Sequence, residues 1–529
     1  EHTVPPEGLT ACYLPLLREL SARLEGADPF LRTAFCLEVF RERQLLTLRQ
    51  EGDTISIDIP ACKIELQVDE ATLERLVNDR VRDELKSGVQ TIQYQINTLM
   101  TTNGQSPFVT LFLNLQEGDP YLEENAMIVE EVLRQRLEGI KNEAGVYITP
   151  AFPKLVYVLD EHNCLKGGKY DYITELAVRC SAKRMYPDYI SAKKMKENYE
   201  GNVFSPMGCR SFLSPWKDEN GNYKFEGRFN QGVVSLNLPQ IGILSKGDED
   251  AFWKLLDQRL QLCFEALMCR HNRLKGTLSD VAPILWQYGA CARLKKGETI
   301  DKLLYHGYST ISLGYAGLYE CVKYMTGKSH TDPSATPFAL QVMQYMNDAC
   351  RKWKEESDID FSLYGTPLES TTYKFAKSLQ RRFGIIEGVT DKSYITNSYH
   401  VHVTEDINAF DKLKFEAQFQ ALSPGGAISY VEVPDMQNNL EAVLQVMKFI
   451  YENIIYAELN TKSDYCQVCG WDGEIQIAEE NGKLIWKCPQ CGNTDQDKMN
   501  VARRTCGYIG TQFWNQGRTQ EIRDRVLHL

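Results

Sequence analysis

Four cysteines near the C-terminus constrain this chain more than any other feature. Cys466-x-x-Cys469 and Cys488-x-x-Cys491 are separated by 18 residues, and two such knuckles let four thiolates converge on one Zn²⁺. Gly470 and Gly492 follow the two pairs, where a tight turn needs a residue without a Cβ. The intervening "EIQIAEENGKLIWK" predicts a hairpin turning at Glu480-Asn481-Gly482. The spacing is that of a zinc ribbon, with a redox dithiol or incidental thiols as the bland alternatives. Four thiolates leave no open position for a catalytic water, so the metal's role is structural. Such a ribbon holds something in place, and the stretch that follows it is "MNVARRTCGYIG".

The rest of the composition narrows the function classes. Lysine and arginine number 59 against 71 acidic residues, a formal charge of −12, so the molecule as a whole repels a polyanion. Direct nucleic-acid binding is disfavoured on that ground. No apolar run approaches the roughly 18 residues that span a membrane. Sixteen cysteines, many in helical-looking stretches such as "LQLCFEALMCR", point to free thiols in a reducing, cytoplasmic compartment. The chain opens on "EHTVPPEGLT", which has neither a basic nor an apolar targeting region; the Glu1 start leads us to expect further residues before it.

Read for periodicity, residues 1–85 alternate helical patterns ("LPLLRELSARL", "LRTAFCLEVFRER") with a strand-like "DTISIDIPACKIELQV", and no function attaches to them. "VNDRVRDELKSGVQTIQYQINTLM" predicts a long helix, "TTNGQSP" a turn and "FVTLFLNL" a strand. Further strands are predicted in "KLVYVLDEHN", "GVVSLNLPQIGIL" and "AISYVEVP", separated by helices in "DAFWKLLDQRLQLCFEALMCRHNRL" and "NLEAVLQVMKFIYENIIYAEL". Strands alternating with long helices indicate an α/β architecture. The expected organisation is an N-terminal segment over 1–85, an α/β catalytic body over 86–459, the ribbon over 460–499 and a C-terminal loop and tail over 500–529.

Within "RRTCGYIG", Gly507 reads first as a turn or helix-end residue. A second reading is chemical: only glycine can carry an unpaired electron on a planar α-carbon without a side-chain clash. Cys209 sits in "SPMGCRSFL", where Gly208 permits a tight backbone and no periodic pattern continues, as at a loop tip. Buried structural thiol is its alternative. Asn230 precedes a predicted strand. In "YGTPLESTT", Thr366 and Ser370 flank Pro367 at a helix start, where free backbone N–H groups would bind a phosphate or merely be capped.

The order of motifs resembles one family. "NTLMTTNGQSPFVTLFLN", "AFPKLVYVLDE", "SAKRMYPDYI", "SPMGCRSFLSPW", "GRFNQGVVSLNLP", "APILWQYGACARL", "STISLGYAGLYE", "FSLYGTPLES", "GVTDKSYITNSYHV", the ribbon, "RRTCGYIG" and "NQGRTQEIRDRVLHL" follow one another over residues 86–529. They are similar to the anaerobic, glycyl-radical (class III) ribonucleoside-triphosphate reductases. The resemblance implies a ten-stranded α/β barrel with Cys209 on an internal loop and Gly507 on a C-terminal loop. By it Gly507 is the radical-bearing residue, Cys209 the thiyl that abstracts the 3′-hydrogen of the ribose, and Asn230 an active-site amide. Cys291 in "YGACARL" matches a family cysteine, and Thr366 and Ser370 would lie near the substrate triphosphate. Formate as reductant, allosteric ATP and deoxynucleotides, a homodimer, and a separate radical S-adenosylmethionine activase with a 4Fe-4S cluster are implied as well. The chain has no CxxxCxxC of its own, and an exposed or mobile C-terminal region is expected to let the activase reach Gly507.

The pattern departs from the family in two places. Relatives carry an "NCL" cysteine ahead of the "NGQSPF" turn, whereas Asn163-Cys164-Leu165 comes after it here; that departure bears on the reductant. No "KRDG" opening of an ATP-cone is present either. Two rival functions fit the sequence less well. A glycyl-radical lyase or dehydratase is opposed by the ribbon and, for the lyases, by the lack of adjacent cysteines. A zinc-ribbon binding module is opposed by the acidic charge.

Overall fold

The computed structural model describes residues 47–51, 54–59, 62–67, 70–100, 108–143, 145–164, 167–505, 507–510 and 513–529, the strands before residue 68 by backbone alone. The two helical patterns before residue 46, the "TTNGQSP" turn and Cys506 lie outside the described residues. Two compact units divide at Ile92/Gln93. In the first, β1 (Thr47–Glu51), β2 (Thr54–Ile59) and β3 (Cys62–Gln67) form an antiparallel meander. Helix α1 (Glu70–Thr98) follows, laced on its surface by Arg75–Asp79 (3.6 Å) and Arg80–Glu84 (2.6 Å) one turn apart.

The second unit contains eight principal strands in two sheets. Strands β4 (Thr110–Leu113), β5 (Lys154–Leu159), β6 (Asp188–Ser191), β10 (Ser429–Glu432) and β11 (Tyr456–Asn460) form a sheet in the order β10-β11-β6-β5-β4. All its pairings are parallel except β11 with β6. The other sheet, β7 (Asn230–Asn237), β8 (Thr310–Ala316) and β9 (Asp360–Tyr364), is parallel throughout with β8 at its centre. Every residue of β5, β8 and β11 is buried, as expected for strands covered on both faces.

Helices α2 (Glu249–Leu274) and α3 (Thr336–Ser357) cover the three-stranded sheet. Phe252, Leu256, Leu260 and Leu267 of α2 and Ala339, Val342, Met343 and Met346 of α3 recur at helical spacing, and they pack with Ile311, Leu313 and Tyr315 of β8 in one core. Asp248 caps α2, accepting the Ala251 N–H at 2.7 Å.

Two apolar stretches split where the sequence reads as a single element. "GVVSLNLPQIGIL" ends as a strand at Asn237, whose side chain caps a helix over Leu238–Ser245 that has Pro239 in its first turn. "NLEAVLQVMKFIYENIIYAEL" is helix α4 (Leu440–Asn453) only to Asn453; the β-branched pair Ile454-Ile455 leads into β11.

The α/β architecture is as expected. Among the described residues, however, the strands stand as sheets of five and three rather than as one ladder of ten. The two sheets meet at a seam of single bonds: Gly425 N–H donates to Leu363 O (2.8 Å) and Gly365 N–H to Gly426 O (2.9 Å). Into this seam comes the loop 205–213, with Phe212 N–H donating to Gly425 O at 2.8 Å. A Cβ on Gly426 would stand 1.9 Å from Arg210 O, so the loop can pass there only against a glycine.

Candidate functional site

Two loops meet tip to tip. Residues 207–211 form a tight turn closed by Met207 N–H to Ser211 O (2.7 Å) and Ser211 N–H to Met207 O (3.2 Å), and buried Cys209 sits at its apex. Opposite it, the antiparallel pair β14 (Arg503–Arg504) and β15 (Ile509–Gly510) brackets the loop 505–508 that carries Gly507. Gly507 has φ +92, and a Cβ on it would fall 3.2 Å from Cys209 O and 3.3 Å from Cys209 Cβ. Both the backbone conformation and the close approach therefore require glycine. The expected exposure of this segment is not found: Gly507 is buried, because Cys209 covers one side and the Tyr508 ring packs between Phe108 (5.0 Å) and Phe152 (5.6 Å).

Buried charge holds the two loops. Lys154, first residue of β5 and fully buried, donates from Nζ to Cys209 O at 2.6 Å, Gly507 O at 2.8 Å and Asp188 Oδ2 at 2.9 Å. Asp188 also accepts from Tyr456 Oη (3.0 Å) and pairs with Arg504 at 2.5 Å, and Arg504 pairs with Glu458 at 2.7 Å. Burial pushes the Glu458 carboxyl up, against the pull of Arg504. Arg210, next to Cys209, hydrogen-bonds the Tyr430 hydroxyl.

Beneath the glycine hairpin lies the ribbon. Sγ atoms of Cys466 and Cys491 are 3.7 Å apart, those of Cys469 and Cys488 3.6 Å, and all four lie within 4.8 Å of one another. A tetrahedral zinc thiolate with Zn–S of about 2.3 Å has edges of about 3.8 Å, so the four residues fit Zn²⁺. Strands β12 (Gln476–Glu480) and β13 (Lys483–Lys487) turn through Asn481-Gly482 as the sequence predicts. Asp464 ties ribbon to hairpin: one oxygen accepts from Ile475 N–H at 2.8 Å, the other from Ala502 N–H at 3.1 Å, and Arg503 pairs with it. Helix α5 (Gln516–Asp524) closes the arrangement, with the Gln516 side chain on the Leu484 backbone and Arg518 on Glu369 O at 2.6 Å.

The remaining sequence-predicted residues lie in other surroundings. Asn230 opens β7 with its amide donating to Thr310 Oγ1 (2.9 Å) and Ser312 Oγ (2.7 Å), a bridge between strand starts. Cys291 packs beside Trp286 and Leu294, and burial raises its thiol. Thr366 Oγ1 accepts from Tyr315 N–H at 3.1 Å, within the three-stranded sheet. Ser370 precedes the helix Thr371–Phe383 and makes no side-chain cap bond. None of the described contacts joins these four to Cys209. Sequence reasoning assigned no role to Lys154, Asp188 or Glu458, although a lysine opening the apolar "KLVYVL" and an aspartate opening "DYIS" are the kind of buried charge that needs a partner.

Comparison with known proteins gives the family and the fold. The chain is 40% identical over 464 residues to the anaerobic ribonucleoside-triphosphate reductase of Escherichia coli K12, covering 86% of this chain and 63% of that protein. It is 40% identical to the Salmonella typhimurium protein of the same name (99% and 72%) and 41% identical to that of Enterobacteria phage T4 (85% and 73%). It thus spans about two thirds of the length of these relatives. Among solved structures, an anaerobic ribonucleotide reductase matches with a TM-score of 0.62 at 17% identity, covering 85% of this chain and 68% of that one. The Thermotoga maritima enzyme with glycerol in its active site matches with 0.58 at 18% identity, covering 82% and 68%; both show a shared fold. The profile of the anaerobic ribonucleoside-triphosphate reductases spans residues 10–528, and the chain belongs to that family.

Proposed function

We propose that this chain reduces ribonucleoside triphosphates to 2′-deoxyribonucleoside triphosphates by radical chemistry in the cytoplasm, with Gly507 as the stored glycyl radical and Cys209 as the thiyl. The observation that carries the reading is the tip-to-tip approach of Gly507 and Cys209, two residues 298 positions apart in sequence, inside a buried and hydrogen-bonded pocket. In the proposed cycle a hydrogen atom passes from Cys209 Sγ to the Gly507 α-carbon, and the thiyl then takes the 3′-hydrogen of the ribose. The 2′-hydroxyl leaves as water, formate is oxidised to carbon dioxide as the electron donor, and the 3′-hydrogen returns from Cys209. The family's relation to nucleotides supports the substrate class; a Thermotoga maritima relative has been solved in complex with dATP and CTP.

In this reading Asn230 hydrogen-bonds the ribose or the reductant, Thr366 and Ser370 lie toward the triphosphate, and Cys291 is structural. Zn²⁺ on Cys466, Cys469, Cys488 and Cys491 holds the ribbon that presents the glycine hairpin. Allosteric ATP or deoxynucleotides, a homodimer and a separate iron–sulfur activase complete the system.

The test is electron paramagnetic resonance of the anaerobic protein after incubation with a radical S-adenosylmethionine activase, comparing wild type with Gly507→Ala. A glycyl doublet in wild type alone, accompanied by ribonucleotide turnover, is the expected result. No doublet under conditions that activate a relative would sink the radical reading and leave Gly507 a turn glycine beside a ribbon.

A further inference from the structure

Among the described residues, Lys154 is a buried ionisable group that touches both members of the proposed radical pair. Lys154 has no exposed surface, and its ammonium has three donors and three acceptors: Cys209 O, Gly507 O and Asp188 Oδ2. Two of those acceptors belong to loops that come from distant parts of the chain. A neutral side chain at this position would leave both carbonyls without their donor in a dry pocket, where the bond is worth most.

Resting on the reading of Gly507 and Cys209 as the radical pair, we infer that Lys154 is the positioning residue for hydrogen transfer between them. Its ammonium acts in two ways. It sets the distance between the two loop tips by holding both carbonyls from one nitrogen. It also places a cation on the carbonyl into which an unpaired electron on the Gly507 α-carbon delocalises, favouring the radical on glycine relative to sulfur. The step itself is one hydrogen atom moving from the Cys209 thiol to the Gly507 α-carbon: the S–H bond breaks, the C–H bond forms, and Lys154 keeps its protons. Asp188 fixes the ammonium from behind and is itself held by Arg504 at 2.5 Å and Tyr456 at 3.0 Å. Removing Lys154 still leaves Asp188 its pair with Arg504, a guanidinium shared with Glu458, so a Lys154 variant loses stability and its folding is checked before its turnover is read.

The experiment uses the full chain, activated anaerobically. In wild-type protein grown with lysine labelled with ¹⁵N at Nζ, pulsed electron paramagnetic resonance of the glycyl signal is expected to show a ¹⁵N coupling that vanishes in Lys154→Arg. Lys154→Met, checked for bound zinc and helix content, is expected to form the doublet with altered hyperfine structure and to turn over per radical on the order of a hundredfold more slowly. Lys154→Arg should recover part of that loss. A strong doublet without any lysine coupling, or Lys154→Met with wild-type turnover per radical, overturns the inference. If Lys154→Met does not fold, the wild-type spectrum and Lys154→Arg decide alone. Absence of the doublet in wild type is a different result: it removes the radical reading itself.

Discussion

Arg504 and Glu458 pair at 2.7 Å with neither side chain exposed, and the same guanidinium pairs with Asp188 at 2.5 Å. Breaking a buried pair by removing one partner leaves an uncompensated charge, at a cost of about 3–5 kcal/mol. Arg504→Met should therefore lower the stability of the protein by that order and loosen the hairpin that follows it. Denaturant unfolding together with limited proteolysis over 505–510 checks this; an unchanged midpoint and a protected hairpin would contradict it.

On the proposed radical reading, Cys209→Ser should separate radical storage from its use. The hydroxyl has no accessible one-electron chemistry, so the variant should accept the glycyl radical and show no ribonucleotide reduction. Gly507→Ala should show neither, because a Cβ there meets Cys209 at 3.2–3.3 Å from a strained φ. Residual turnover in Cys209→Ser would move the thiyl role to another cysteine.

Metal removal tests the ribbon. Chelation, or Cys469→Ser, should release zinc, free the hairpin tied to Asp464 and reduce the radical yield, with the helical content of the two-sheet body retained. Zinc content, circular dichroism and the doublet intensity read the three parts. A full radical yield in zinc-free protein would show that the ribbon does not present the glycine.

Acid should destabilise the chain through buried histidines. Burial lowers His402 and His528 to about 4, and both accept at Nδ1, His402 from Thr404 N–H (3.4 Å) and His528 from Glu432 N–H (2.8 Å). In the unfolded chain each takes up a proton near 6.5. Between those values the unfolded state binds more protons, so stability falls as pH drops from about 6.5 to about 4, by up to about 1.4 kcal/mol per pH unit for each residue. Urea midpoints between pH 7.5 and 5 should show the slope, and His528→Gln should flatten it. A pH-independent midpoint in wild type would refute it.

How far the sequence reveals this structure depends on whether a signal is local. The ribbon is legible because four thiolates and their turn glycines carry their spacing in one short stretch, and the Asn481-Gly482 turn follows from the same stretch. Helix α2 is legible from the spacing of Phe252, Leu256 and Leu260. Strand β11 is not, because "IIYAEL" continues the apolar run of α4 and only its place inside a covered sheet makes it extended. Cys209 and Gly507 are legible as motifs, yet their meeting depends on a seam made by Gly425 and Gly426. Lys154 carries no signal for its role, since its partners are two backbone carbonyls supplied by distant loops.

The burial of Gly507 gives the site a lock. While the two loops are docked, Gly507 is buried among the described residues, so an external catalyst of hydrogen abstraction would act on a withdrawn hairpin. Withdrawal breaks the Lys154 bond to Gly507 and the ion pairs of Arg504, which makes the open form scarce. A catalyst that acts on it must bind the scarce form more tightly than the docked one, and its apparent affinity is discounted by that scarcity. On the proposed radical reading, arming Gly507 therefore calls for a partner that opens the hairpin. On the same reading, the closed hairpin would hold an unpaired electron on that carbon away from oxygen and stray reductants.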